Sequence, residues 1–242
     1  MNPMKVSLPK HMTCDFLETR LMIMEVPGAA LELGCGTGRL LLSYLAAGIE
    51  VDGVDCSKDM LEICRAKAKI NGQDPVLYDQ YMQQLNLPKK YMTIYIPAAS
   101  FMLLTEREDA MEALKSIYAH LEYDGQTLIP LFIPKHLFNN KDDEWAPGLR
   151  GTRSDGSEIV VSSKSNINFL EQIQTKLERY EIVRDGVLID TQYSTTKMRW
   201  FYKYEFLMML EKVGFHDFSI YGGYSLQEVN EDQSFMIIRA RK

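Results

Sequence analysis

The segment LELGCGTGRLL, residues 31–41, constrains this chain more than any other. An apolar, strand-like run leads into Gly34, Gly36 and Gly38, and an apolar, helix-like run follows. Glycine is needed where a backbone turns with positive φ, or where a ligand must come close to the main chain. The helix start beyond such a turn offers free N–H groups and the positive end of a dipole. A strand–turn–helix unit of this kind belongs in an open sheet with crossover helices on both faces.

The flanking pattern agrees. Residues 13–26 read as a helix stopped by Pro27-Gly28, and residues 29–33 as a buried strand. Helical spacing at 38–47 and 57–70, the latter capped by Ser57, alternates with strands at 49–54, 76–78 and 93–98. A helix at 106–121, closed by Asp124-Gly125, precedes a strand at 127–133. After Pro134 the pattern changes. Residues 139–157 read as a long polar loop, and three extended stretches follow. Asp185-Gly186 marks a hairpin between the last two; the middle stretch alternates poorly and could be partly helical. A helix at 202–215 and two closing strands, an antiparallel pair, complete the chain. The expected fold is α/β: a doubly wound, mostly parallel, seven-stranded Rossmann-like sheet with a small inserted antiparallel sheet. Residues 1–138 and 201–242 would form the main domain, and 139–200 a cover over the site.

Composition narrows the function classes. The chain has 242 residues, 46% hydrophobic and 25% charged, as in ordinary soluble domains. Disorder of the whole chain and fibrous repeats are excluded. Net charge is −6 and no Lys/Arg run exceeds two residues, which argues against nucleic acid as the main partner. Its apolar runs are too short to span a bilayer, and no basic amphipathic anchor is visible. Cys14, Cys35, Cys56 and Cys64 form no C-x-x-C pair and no zinc spacing, so no metal site is expected. Free thiols and an N-terminus without a signal-peptide pattern point to the cytoplasm.

Two ligand classes use a glycine turn of this type. Dinucleotide loops want G-x-G-x-x-G, but Arg39 occupies the third glycine position. Glu32 would repel a phosphate and suits an ammonium group instead. Asp55, 17 residues after Gly38, stands at the tip of the second strand, where a carboxylate can accept from both ribose hydroxyls. Asp52 is the nearby competitor, but strand alternation and the following Ser57 cap favour Asp55; the alternative for Asp55 is a turn or capping residue. Met60 could lie against a purine or belong to the core.

ELGCGTGRLL followed by GVDCSKDMLEICRAKA resembles the class I S-adenosylmethionine-dependent methyltransferases. The resemblance covers about residues 28–135, with a plausible continuation at 198–242. It implies S-adenosyl-L-methionine as cofactor, lying over Gly34, Cys35, Gly36 and Gly38, with Glu32 at its methionine end. Asp55 would hold the ribose, and Cys56 and Met60 would flank the adenine. Tyr81, followed by Met82, fills a position that is usually acidic in the family; Asp79 would serve if the register slipped. Met92 also departs from the Asp of many relatives. Ile96 and Pro97 would reach the carboxyl edge of the sheet.

Methyl transfer asks little of side chains, because the sulfonium is already activated; the protein supplies alignment and exclusion of water. No catalytic residue is assigned. Acceptor-pocket candidates are His11, Ser100, Phe101, His136, Arg199, Trp200 and Tyr202; for Ser100 and Phe101 a helix cap and a core aromatic are equal alternatives. The expected function is methylation of N or O on a small molecule, as in relatives with a similar inserted sheet, some of which modify amino sugars. The rivals are a non-catalytic S-adenosylmethionine-binding protein, a partner-dependent modifier of protein or RNA, and a nicotinamide-dependent oxidoreductase.

Overall fold

The computed structural model describes residues 22–23, 25–135, 144–153, 155–223, 227–230, 233 and 235–242. The helix expected at 13–26 falls mostly outside them; Met22 and Ile23 are helical and buried. The chain divides into two compact units, Cys14–Ile133 with Phe201–Lys242, and Pro134–Trp200 with Met1–Thr13.

The first unit holds β1 (Ala30–Leu33), α1 (Leu41–Ala46), β2 (Val51–Asp55), α2 (Lys58–Ile70), β3 (Leu77–Asp79) and β4 (Tyr91–Tyr95). These are followed by α3 (Arg107–His120) and β5 (Leu121–Phe132). The second unit holds β6 (Ala146–Thr152), β7 (Glu158–Asn168), β8 (Ile173–Arg184) and β9 (Val187–Arg199). The chain then returns to the first unit with α4 (Lys203–Val213), β10 (His216–Tyr221) and β11 (Phe235–Arg241).

The main sheet has the order β10-β11-β5-β4-β1-β2-β3. β1 runs parallel to β2 and to β4, while β11 is antiparallel to both β5 and β10. Ala30, Leu31 and Leu33 have no exposed surface, as expected of a central strand covered on both faces. The strand order reverses between β1 and β4. In such sheets that reversal opens a crevice at the carboxyl ends of the strands.

Several boundaries differ from the sequence reading. Helix α1 starts only at Leu41, because residues 34–40 are spent on the glycine turn. α3 stops at His120 and β5 begins at once, so Asp124, at φ +60, is an irregularity within a strand rather than a helix stop. β4 ends at Tyr95; Ala98 and Ala99 take left-handed conformations in the 3-10 turn that follows.

The second unit is a four-stranded antiparallel sheet, β6-β7-β8-β9. β6 lies inside the stretch read as a loop. Its Pro147, Gly148 and Gly151 hid the strand signal. Proline is tolerated on an edge strand, and a Cβ on Gly148 would stand 2.8 Å from the Val161 carbonyl oxygen. β8 is a full strand with no helical part, paired along its length with β7 and β9. Asp185 (φ +51) and Gly186 (φ +77) form the hairpin turn.

Candidate active site

The turn after β1 is tied down by its neighbours. Both Gly34 N–H and Cys35 N–H donate to the Val54 carbonyl, at 2.8 and 3.0 Å. Lys67 Nζ, from α2, donates to Thr37 Oγ1 at 2.8 Å. Gly36 and Gly38 both have positive φ, +53 and +79, but for different reasons. A Cβ on Gly38 would stand 2.5 Å from Cys64 Sγ, so close packing excludes a side chain there. Among the described residues a Cβ on Gly36 would meet only Asp55 Oδ2, at 4.0 Å, so none of them closes off that backbone.

Asp55 ends β2 beside this backbone. Its Oδ2 accepts from Gly36 N–H at 2.7 Å and its Oδ1 from Ser57 N–H at 2.9 Å. Each oxygen keeps capacity for a further donor. Asp52 does not compete: it is buried, with Tyr91 Oη (2.8 Å) and Lys89 Nζ (3.1 Å) on the same oxygen. A cleft of about 360 Å³ opens over the turn, within the usual range for a small-molecule site. Gly34, Asp55 and Cys56 form one wall; Gln80, Tyr81, Met82 and Gln83 form another; Ser100, Leu103, Leu104, Thr105 and Asp109 contribute the rest.

Glu32 sits behind the turn, 1% exposed, and its Oε2 accepts from Tyr95 Oη at 2.6 Å. The β1–β4 register sets these two residues side by side. Burial drives the Glu32 acid up to about 8, while the Tyr95 hydrogen bond and the Arg39 charge pull it down only in part. Burial and the Glu32 charge likewise push the Tyr95 phenol and the Cys35 thiol up. Burial and the Asp55 charge push up Cys56.

The sequence-derived site residues divide into groups. Gly34, Asp55, Cys56, Tyr81, Met82 and Ser100 are brought together on the cleft. Cys35 is buried in the core, and Gly38 serves packing rather than a ligand. Met60, on α2, is half exposed and stands apart from the cleft wall. Ile96 and Pro97 line a small apolar cavity with Tyr95, Leu40 and Leu128 instead. Phe101 is fully buried against Phe201 and Phe206, so it is a core aromatic and not a wall of an acceptor pocket.

In the second unit Arg199 closes β9, and Trp200 is buried, its backbone N–H donating to the Gln172 carbonyl at 3.0 Å. Tyr202 precedes α4, half exposed, its backbone N–H donating to Glu205 Oε2 at 3.1 Å. His11 and His136 lie outside the described residues or their described side chains. Asp79 pairs with Lys58 at 3.7 Å and is not on the cleft wall. His120 holds structure together instead of serving a site. Leu87 N–H donates to its Nε2 at 3.2 Å, and its Nδ1 lies 2.8 Å from the Ser116 carbonyl.

Sequence reasoning missed Gln80, Gln83, Thr105 and Asp109, which carry no motif. It also missed Tyr95, which only the β1–β4 register reveals. Among the described residues no three His, Cys, Asp or Glu side chains cluster as metal ligands, and no helix is long and apolar enough to cross a membrane.

Residues 30–125 match a family model described as a methyltransferase domain. The chain is 25% identical over 217 residues to YqeM, a candidate methyltransferase of Bacillus subtilis (strain 168), covering 89% of this chain and 84% of that one. An S-adenosylmethionine-dependent methyltransferase from Clostridium acetobutylicum ATCC 824 superposes with a TM-score of 0.79 at 18% identity, over 97% of this chain and 92% of the other. CalS10, an amino pentose methyltransferase from Micromonospora echinaspora solved with S-adenosylmethionine bound, superposes at 0.74 and 16% identity, over 98% and 93%. The match over residues 30–125 and the sheet order agree: the chain carries a methyltransferase domain and has the fold of the S-adenosylmethionine-dependent methyltransferases it superposes on.

Proposed function

We propose that this chain transfers the methyl group of S-adenosylmethionine to a nitrogen or oxygen of a small-molecule acceptor, with amino sugars the first class to test. The reading rests on one observation above the others: no described residue closes off the Gly36 backbone, and Asp55 stands beside it with both oxygens already oriented by backbone N–H groups.

The residues present fit the cofactor. The ribose hydroxyls would donate to the free lone pairs of Asp55. Cys56, Met82 and the half-exposed Tyr81 would take the purine, and Tyr81 offers a ring and a phenol where a carboxylate is usual. Gly34 and Ser100 would border the sulfur end, where the Ser100 hydroxyl donates to the Pro97 carbonyl at 3.0 Å. When bound, the cofactor supplies an activated methyl group on a sulfonium. The chain's own residues bind it, orient it and keep water from it. Ser100, on the cleft wall, is the residue proposed for acceptor contacts. CalS10, an amino pentose methyltransferase, supports the acceptor class, as does the net charge of −6, which disfavours polyanions.

Transfer of labelled methyl from S-adenosylmethionine to a panel of amino and hydroxy compounds, amino sugars included, tests the proposal. Label on one acceptor class is expected. Label that appears only on protein or RNA from a lysate, with none on the panel, would overturn the small-molecule assignment.

A further inference from the structure

Two carboxylates line the cleft, Asp55 and Asp109, and among the described residues no lysine or arginine lines it with them. Asp55 is held by two backbone N–H groups. Asp109 has no such duty. It is the third residue of α3, where an acid can reach back to the start of its helix, yet among the described residues no hydrogen bond or ion pair engages it. Other polar groups on the cleft are already employed. Both ends of the Gln80 amide bond to the Asn86 backbone, at 2.8 and 3.1 Å, and the Ser100 hydroxyl donates to the Pro97 carbonyl. The placement of Asp109 follows from how α3 lies along the second wall. Leu87 N–H donates to His120 Nε2 at 3.2 Å, and Leu85 N–H to Ser116 Oγ at 3.1 Å. One turn back along α3 thus matches two residues back along that segment. Asp109 is two further turns before Ser116 on the same helix face, about 10 Å on. That carries it past the Met82–Gln84 turn to the level of Tyr81.

We propose that Asp109 is a specificity-determining residue for the cofactor's base: its carboxylate accepts from the exocyclic amino group of the purine. The proposal rests on the cofactor reading above and deepens it, at a position of α3 that the family resemblance does not assign. With the ribose on Asp55, the purine lies between Cys56 and the Tyr81–Met82 wall, and Asp109 closes that end of the cleft. An ionised carboxylate only accepts; it attracts an amino group and repels a carbonyl oxygen. It therefore separates a 6-amino purine from a 6-oxo purine. The Tyr81 phenol both donates and accepts, so it makes no such distinction. Asp109 is half-buried, and no cation on the cleft competes for it, so a donor that reaches it gains a charge-assisted hydrogen bond.

Calorimetric titration with S-adenosylhomocysteine and with its 6-oxo analogue, S-inosylhomocysteine, reads the discrimination as a ratio of Kd values. Wild type should bind the amino purine about ten- to a hundredfold more tightly, and Asp109→Asn should bring the ratio to within about threefold. The asparagine is nearly the same shape, and its amide can turn an N–H toward a carbonyl oxygen. Thermal unfolding confirms that the variant is folded. A merely structural role for Asp109 would weaken both ligands alike and leave the ratio unchanged. Tyr81→Phe should keep the ratio. An undiminished ratio in Asp109→Asn, or its collapse in Tyr81→Phe instead, would overturn the proposal. A wild type that binds both nucleosides equally would overturn it too, while leaving the cofactor reading intact. Failure of well-folded wild type to bind either nucleoside would overturn both.

Discussion

Asp55→Ala should damage fold and binding together, by amounts the hydrogen bonds set. The carboxylate accepts two backbone N–H groups, from Gly36 at 2.7 Å and Ser57 at 2.9 Å. A hydrogen bond to a charged partner contributes about 1.5–3 kcal/mol when its donor would otherwise be stranded. Both contacts are only partly buried and border the cleft, so water replaces part of each. A total loss of about 2 kcal/mol follows, which for a chain of this size lowers Tm by about 4–8 °C. Cofactor binding loses more. Two ribose hydrogen bonds at about 1.5 kcal/mol each amount to about a hundredfold in Kd. Asp55→Asn keeps one acceptor oxygen and should fall between the two proteins in both respects. Thermal unfolding by circular dichroism and calorimetric titration with S-adenosylhomocysteine read the two quantities separately. A variant that melts lower but binds with unchanged Kd would show that Asp55 is only a turn residue and that the ribose lies elsewhere.

The two positive-φ glycines should separate cleanly. Gly38→Ala forces a methyl against Cys64 Sγ and should lower stability by about 1–3 kcal/mol, whereas Gly36→Ala should cost about 1 kcal/mol of stability but most of the cofactor affinity; equal losses in both variants would refute the distinction. Glu32 also shapes stability against pH. Its carboxyl titrates near 4.5 when unfolded and near 8 when folded, so the folded state holds the extra proton between those values and stability falls as pH rises through them. The slope is at most about 1.4 kcal/mol per pH unit. Glu32→Gln removes it, so the stability of the variant relative to wild type should rise from pH 5 to pH 8 in the absence of ligand; a constant difference would contradict the buried acid. Tyr81→Ala should weaken S-adenosylhomocysteine binding by about 1–2 kcal/mol with Tm unchanged, because the ring is 57% exposed and its area serves the cleft rather than the core; Tyr81→Phe then tells ring from hydroxyl.

The parts of this molecule legible from sequence are those where one physical demand fixes the residue. The glycine turn, the Asp55 tip and the Ser57 cap are local and forced, and the structure places them on one edge of the sheet. The alternation of strands and helices followed from the apolar period, and the Asp185-Gly186 hairpin from its turn chemistry. Long-range choices were harder. Gly38 and Gly36 read alike in sequence, yet only the approach of Cys64 from α2 shows that one packs, while no described residue closes off the other. Phe101 looked equally suited to a pocket or a core until Phe201 and Phe206 were seen around it. β6 was hidden by a proline and two glycines that an edge strand tolerates. Glu32 was read only for its place before the glycine turn; its partner Tyr95 lies 63 residues away and is reached only through strand register.

The most direct measurement is a crystal structure of the protein grown with S-adenosylhomocysteine. The ribose hydroxyls should lie within hydrogen-bonding distance of both Asp55 oxygens, with the backbone of Gly34 and Gly36 beneath the ligand and the purine beside Cys56 and Tyr81. A nucleoside seated away from Asp55, or a cleft still empty at saturating ligand, would contradict the assignment of this site.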